Sequence, residues 1–572
     1  MQPQSASSAY GRILAWSLVI VGLLAAETIA GAPGSTIEQE RRPTRPDMTP
    51  RTPAEIEKPE QKEPPAVEQR GPRVLAKKFR ITGNTVIKTE KLEALARPDE
   101  GKQLTLEQLK TVASRITEYY RDEGYLLAYA YLPPQDVREG VIEIAILEGE
   151  IGVIEVTGTE RYQPEAIRWA LTRVENERIV HEGLLETAIN NLNDYPGLSV
   201  RASLKPGEKR GTTDIVMTAQ ERLGLSAGVD MDNYGSRYSG MWRFGTDVSY
   251  GSLTGLGDKF SFRGITSDDN LYYIRTNYNA PVGGYGTKVG VTYVYTESKI
   301  GEELKALNAR GYLQIGSIEI NQPVWRTSAF NFELFGGLDA KRTDNDVLGK
   351  SAGADDLRIF RLGFTGDYRD RFLGRTYFGM GAYANVPWLG GDHQDDPGST
   401  MTGSPGFFTK ATLDLARVQS LLIGGSYIVL RGFGQMASQN LPSTEQYSVG
   451  GYYTVRGYPL AERAGDQGYS ASAELVVPVP YLREWLQAAA FVDHAGIFPI
   501  SPNKSAGVKE HYLSGVGGGL RFNLPVGFVP GGIVQVRLDF GYAVGPNPSN
   551  TSDRIAHKID RGIIYLASSF RF

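Results

Sequence analysis

The chain has 572 residues, a formal net charge of -4, no cysteine and five histidines, with a mean hydropathy of -0.28. Without cysteine there is no disulfide, thiolate metal site or thiol nucleophile. Five histidines without HExxH spacing argue against a histidine metal centre, no P-loop GxxxxGK[ST] pattern supplies a nucleotide site, and the near-balanced charge argues against a nucleic-acid partner, so no cofactor is expected.

At the N-terminus Arg12 precedes an apolar run over residues 13–26, too short to span a bilayer but of the length of a signal-peptide core. The small-x-small site Ala30-Gly31-Ala32 assigns residues 1–32 to an export signal, with cleavage after Ala30 as the alternative because Pro33 follows. Residues 33–72 are dense in Pro, Glu, Arg and Gln and cannot bury enough apolar surface to fold alone. They read as an extended linker, either an inert spacer or a segment that docks elsewhere on the mature chain.

Residues 73–222 contain two copies of one small unit, 73–149 and 150–222. Ile81-Thr82-Gly83-Asn84 recurs as Val156-Thr157-Gly158-Thr159, Ala130-Tyr131-Leu132-Pro133-Pro134 as Ala202-Ser203-Leu204-Lys205-Pro206, and Glu143-Ile144 as Asp214-Ile215. In the first copy Thr105 and Gln108 have capping-box spacing. Leu109, Val112, Ile116 and Tyr119 or Tyr120 form an apolar stripe, and Gly124 ends the helix. Each unit reads as strand, helix, helix, strand, strand. Such a three-stranded α+β module leaves one sheet face and one edge uncovered, and an edge can accept an extended peptide as an added strand. A rigid spacer is the alternative.

Residues 223–572 consist of one alternating segment after another. Val534, Val536, Leu538, Phe540 and Tyr542 fall on one face, and Gln535, Arg537, Asp539 and Gly541 on the other. A soluble β-sandwich would alternate equally well, but it would need a dozen or more strands with no connecting helices. A membrane all-β barrel follows, and about 22 residues per strand with its turn gives about 16 strands, wide enough for an aqueous channel.

One long, Gly-rich connection contains Val455-Arg456-Gly457-Tyr458-Pro459, and the strand beyond the next Pro-marked turn contains Phe491-Val492-Asp493-His494-Ala495-Gly496. Alternation puts Val492 on the lipid face and Asp493 in the lumen. A loop folded into the channel would pair Arg456 with Asp493, with Gly457 allowing close approach and Tyr458 wedged against the wall. Two merely solvated lumenal charges are the bland alternative.

The module pair, the Val455-Arg456-Gly457-Tyr458 loop and the strand from Phe491 to Gly496 together resemble two-partner secretion transporters of the haemolysin secretion/activation type, over residues 74–572. Further similar landmarks are Gly124-Tyr125, Leu132-Pro133-Pro134-Gln135, Glu148-Gly149 and Asp232-Asn233-Tyr234-Gly235. The resemblance implies a bacterial outer-membrane protein in which two periplasmic polypeptide-transport-associated (POTRA) domains receive a secreted client polypeptide and a 16-stranded barrel passes it outward. It also implies that Arg456 and Asp493 form a conformation-controlling pair. Some relatives plug the pore with an N-terminal helix, whereas here only residues 35–42 could form a short one. The last strand, with Phe570 and Phe572 on one face, resembles the signal read by barrel-insertion machinery, although Ala567 stands where a glycine is usual. The implied partners are the client, outer-membrane lipid and that machinery. A barrel-assembly factor and a small-solute channel are the rival readings, and an enzyme is disfavoured because no Ser/His/Asp grouping stands out.

Overall fold

The computed structural model describes residues 56–57, 72–137, 139–209, 211–392, 406–482, 485–500, 510–527, 531–544, 558–559 and 561–572. The export signal, the candidate helix at 35–42 and nearly all of the linker lie outside them.

In the first module the helix Leu106–Asp122 starts where its sequence dictates. The Gln108 N–H donates to Thr105 Oγ1 (3.4 Å) and the Thr105 N–H donates to Gln108 Oε1 (2.9 Å), a reciprocal capping box. Its stripe Leu109, Val112, Ile116 and Tyr120 packs on a sheet ordered Lys78–Thr82, Val141–Leu147, Tyr129–Tyr131. Tyr120 rather than Tyr119 completes the core. A ribbon pairing Arg73–Ala76 with Lys102–Thr105 adds two strands that periodicity did not suggest. Glu148 locks the module's end: it is 7 % exposed and accepts from the Thr85 and Val86 N–H groups (2.7 and 3.1 Å), the Thr85 hydroxyl (2.5 Å) and the Tyr120 hydroxyl (2.8 Å). Burial pushes its carboxyl up, but these donors outweigh it and hold the group below the ordinary glutamate range.

The second module repeats the plan with Glu150–Thr157, Pro164–Ala170, Thr172–Asn176, Glu182–Asn193, Leu198–Pro206 and Thr212–Glu221. One expectation is corrected here, because the edge strand Leu198–Pro206 is not uncovered. Ile56–Glu57 of the linker pairs with it in parallel, Ile56 opposite Ala202 and Glu57 opposite Ser203. Ile56 packs against the module's apolar core, and this burial supplies the driving force. The repeat-equivalent strand of the first module, Tyr129–Tyr131, is an edge among the described residues.

Sixteen strands then form a closed antiparallel barrel, from Leu225–Asp232 to Gly562–Arg571, which pair with each other across the seam. At the end that carries the modules the connections are short, such as 327–329 and 370–373, and the longest described connection, 438–466, lies at the other end. The helix Glu182–Asn193 docks on the short turns. Arg326 is ion-paired with Asp194, Asn190 Nδ2 donates to the Arg326 carbonyl (2.8 Å), and the Ser328 N–H donates to Glu186 (2.8 Å). Alternation sorts the wall as read: Leu538, Phe540 and Tyr542 are exposed outward, while Asp539 is buried inward. Strand lengths are less uniform than 9 to 11 residues. Lys350–Arg369 has 20 residues, which at a tilt near 45° rises roughly 48 Å and overshoots a hydrocarbon core of about 30 Å.

Candidate functional site

The connection 438–466 turns back into the barrel instead of spreading outside. Its stem is a two-stranded ribbon, Tyr447–Val449 against Arg463–Gly465, and its tip, 450–459, reaches the wall near mid-height. Asp493 lies about midway along the 13-residue strand Leu486–Phe498. At the tip Arg456 is 5 % exposed and Asp493 1 %. Arg456 donates from Nε to Asp493 Oδ2 (2.7 Å) and from Nη2 to Oδ1 (2.8 Å), and its backbone N–H adds a third bond to Oδ2 (3.1 Å). This is the bidentate geometry that a planar guanidinium and a carboxylate favour.

Other wall residues complete the socket. Arg456 Nη1 donates to Glu474 (2.8 Å), the Ser472 hydroxyl donates to Asp493 (2.7 Å), and the Phe491 ring lies 3.3 Å from the guanidinium carbon. Glu474 also accepts from Arg521 (3.1 Å) and Arg537 (3.3 Å), and Arg521 donates to Asp539 (2.5 Å). The buried charge of Arg456 therefore sits in a network of alternating sign, which offsets a desolvation penalty that a lone pair would carry poorly.

Backbone shape is matched as closely as charge. Gly457 has φ near +99°, and a Cβ there would come within 2.7 Å of the Ala543 nitrogen. The wall strands are hollowed opposite it: a Cβ on Gly515 would meet the Arg456 carbonyl oxygen at 2.1 Å, and one on Gly541 the Gly457 nitrogen at 2.6 Å. The Tyr565 hydroxyl accepts from the Gly457 N–H and donates to the Tyr458 carbonyl, both at 3.1 Å. Val455 and Tyr458 are fully buried with Tyr447, Ala495, Ile497 and Leu513. Tyr452 stacks on Tyr234 at 3.8 Å, so the Asp232-Asn233-Tyr234-Gly235 segment meets the tip as well. In that segment Asp232 holds Arg243, and Asn233 bonds the backbone of Ile564 and Leu566 across the seam.

The structure thus brings together Val455, Arg456, Gly457, Tyr458, Phe491 and Asp493. Gly496 stands apart on the outward side of the same strand, where it leaves room for the Tyr469 ring, and Val492 is 50 % exposed to the lipid side. Phe570 and Phe572 lie at the module end of the last strand, on the face opposite to inward Tyr565, with rings 6.0 Å apart. Sequence reading missed Ser472, Glu474, Arg521, Tyr565 and Gly515. Arg537, Asp539 and Gly541 were legible as inward positions, but the cross-strand register that puts Ser472 opposite Asp493 and Glu474 opposite Phe491 was not.

A lipid-facing 16-stranded barrel with periplasmic modules beneath and a polar lumen crossed by its own loop defines an outer-membrane transporter. Residues 211–522 match the family described as haemolysin secretion/activation protein ShlB/FhaC/HecB, and residues 74–149 match the POTRA domain, ShlB-type. The chain belongs to that family of two-partner secretion transporters, a family of translocation channels for partner proteins. It is 25 % identical over 449 residues to the heme/hemopexin transporter protein HuxB of Haemophilus influenzae (strain 86-028NP), covering 77 % of this chain and 79 % of that one. To the outer membrane transporter CdiB of Escherichia coli O6:K15:H31 it is 24 % identical, covering 72 % and 71 %. The solved structure of CdiB from Escherichia coli shares the fold with a TM-score of 0.72 at 20 % identity, over 90 % of this chain and 93 % of that one.

Proposed function

We propose that this chain is a passive export pore whose lumenal loop is its gate, held by Arg456 on Asp493. The buried bidentate pair carries the reading: a cation brought from a loop into the barrel and satisfied there by wall carboxylates fixes one loop position strongly while leaving the barrel itself independent of it. An unfolded client arrives at the periplasmic modules and adds as a strand to a sheet edge, for which Tyr129–Tyr131 is available and Leu198–Pro206 becomes so when Ile56–Glu57 leaves. The loop then shifts, the client passes through the lumen, and folding outside supplies direction without nucleotide. The terminal strand with Phe570 and Phe572 directs insertion into the outer membrane by the barrel-insertion machinery. Arg456→Ala tests the gate: secretion of a cognate client should fall at least tenfold with the barrel still inserted, and unimpaired secretion would refute it.

A further inference from the structure

The tip is not the loop's sole charged anchor. Glu445, in the stem of the same connection, is 4 % exposed and lies against a different part of the wall. Its carboxylate is ion-paired with Lys341, from the strand Phe330–Val347, and with Lys410 (2.7 Å), from Thr409–Ser420. Lys410 is the second residue of a strand that begins at the long-loop end, so this contact sits near the outer mouth, well above Asp493. The backbone beside Glu445 is held too. The Thr444 carbonyl accepts from Lys341 (3.4 Å), and the Glu445 carbonyl accepts from Lys410 (3.2 Å) and from Gln435 Nε2 (3.0 Å). Asp466, at the far end of the stem, accepts from the Leu441 and Ile500 N–H groups (2.9 and 3.0 Å).

We infer that Glu445, Lys341 and Lys410 form a second clamp on the gate, one that fixes the loop stem to the outer mouth independently of the Arg456 latch at the tip. The lysines of this clamp stand on Phe330–Val347 and Thr409–Ser420, whereas the two carboxylates bound to Arg456 come from Gln467–Pro478 and Leu486–Phe498. A buried carboxylate bound by two ammonium groups is compensated in place, and an amide at that position would lose the charge-assisted contacts that hold the stem to the wall. With two clamps at different depths, a client pressing from the periplasmic side can displace the tip while the stem stays seated as a hinge. Full clearance of the mouth requires the second release. Glu445 and its lysines are thus positioning residues for export.

The inference rests on the loop being the moving gate, and the test separates the two. Because the chain has no cysteine, single cysteines at Thr444→Cys and Thr454→Cys in the full-length protein report stem and tip separately through a membrane-impermeant maleimide added from outside. Glu445→Gln should speed labelling at position 444 about tenfold or more while position 454 stays within about twofold, and Arg456→Ala should do the reverse. Lys341→Met, which leaves Lys410 on the carboxylate, should give a smaller rise at 444, and it stands in if Glu445→Gln fails to yield a folded, heat-modifiable barrel. Unchanged labelling at 444 in both stem variants, or equal rises at 444 and 454, would overturn the second clamp. If instead Arg456→Ala leaves 454 protected while Glu445→Gln exposes 444, the tip reading fails and the stem clamp stands.

Discussion

Asp493→Asn isolates the charge of the latch with almost no change in shape. Asp493 accepts three hydrogen bonds from Arg456, two from the guanidinium and one from the backbone, plus one from Ser472. The amide can keep an acceptor at one oxygen, but its NH2 then faces an N–H donor, so at least one charge-assisted bond is lost outright. Removing one partner of a buried ion pair costs about 3–5 kcal/mol. Glu474 still compensates part of the Arg456 charge, which places the cost near the lower limit, about 3 kcal/mol, or roughly a hundredfold in the equilibrium between seated and released loop. Single-channel conductance of the purified full chain in planar bilayers reads this directly: the open fraction should rise by that order while the number of inserted channels is unchanged. The double variant Arg456→Met with Asp493→Leu removes both charges and should open less often than Asp493→Asn alone, because no uncompensated cation remains buried. An open fraction in Asp493→Asn within a factor of two of the unsubstituted protein would refute the claim that this pair holds the loop.

Two further outcomes follow from shape and from proton binding. Gly515→Ala places a methyl group where the Arg456 carbonyl oxygen now sits, at 2.1 Å, so the tip should unseat and conductance rise without any charge being altered; a quiet channel in this variant would show that the wall yields instead. Glu148→Gln should destabilise the first module by about 3 kcal/mol, since one amide oxygen cannot replace a carboxylate serving four donors. Because the folded Glu148 value is lowered, its stabilisation is complete above the ordinary glutamate value of about 4.3 and is lost as pH falls through the folded value. Limited proteolysis of the full chain should therefore show a module equally protected from pH 6 to 8, failing on acidification, and already labile at neutral pH in Glu148→Gln; equal protease resistance of the two proteins at pH 7 would contradict the assignment.

Local rules account for what was legible in the chain. Alternation along residues such as 534–542 carries its own burial instruction, since a one-residue error would put Asp539 into lipid. Thr105 and Gln108 marked a helix start because their bonds close within one turn, and the stripe Leu109, Val112 and Ile116 carried that helix onward. Arg456 and Asp493, 37 residues apart, were suggested as partners only by their place in a loop and on an inward face, and by resemblance. The edge strand supplied by Ile56 escaped because two residues in a Pro-rich stretch have no period; only the exposed core of a module folded elsewhere in the chain makes that isoleucine a strand.

What the sequence determined by itself is therefore whatever depends on neighbours along the chain: the number and sidedness of barrel strands, the duplicated modules, the caps, and the inward position of Asp493. Only the tertiary structure decided which inward groups meet. The Arg456 socket draws Ser472 and Glu474 from one strand, Asp493 from the next, and supporting residues from the three after it, while Glu445 finds its lysines on the far side of the mouth. The reason is geometric. A barrel's closure and shear set which rows of side chains share a level, and that register is a property of the closed ring of sixteen strands, not of any one of them.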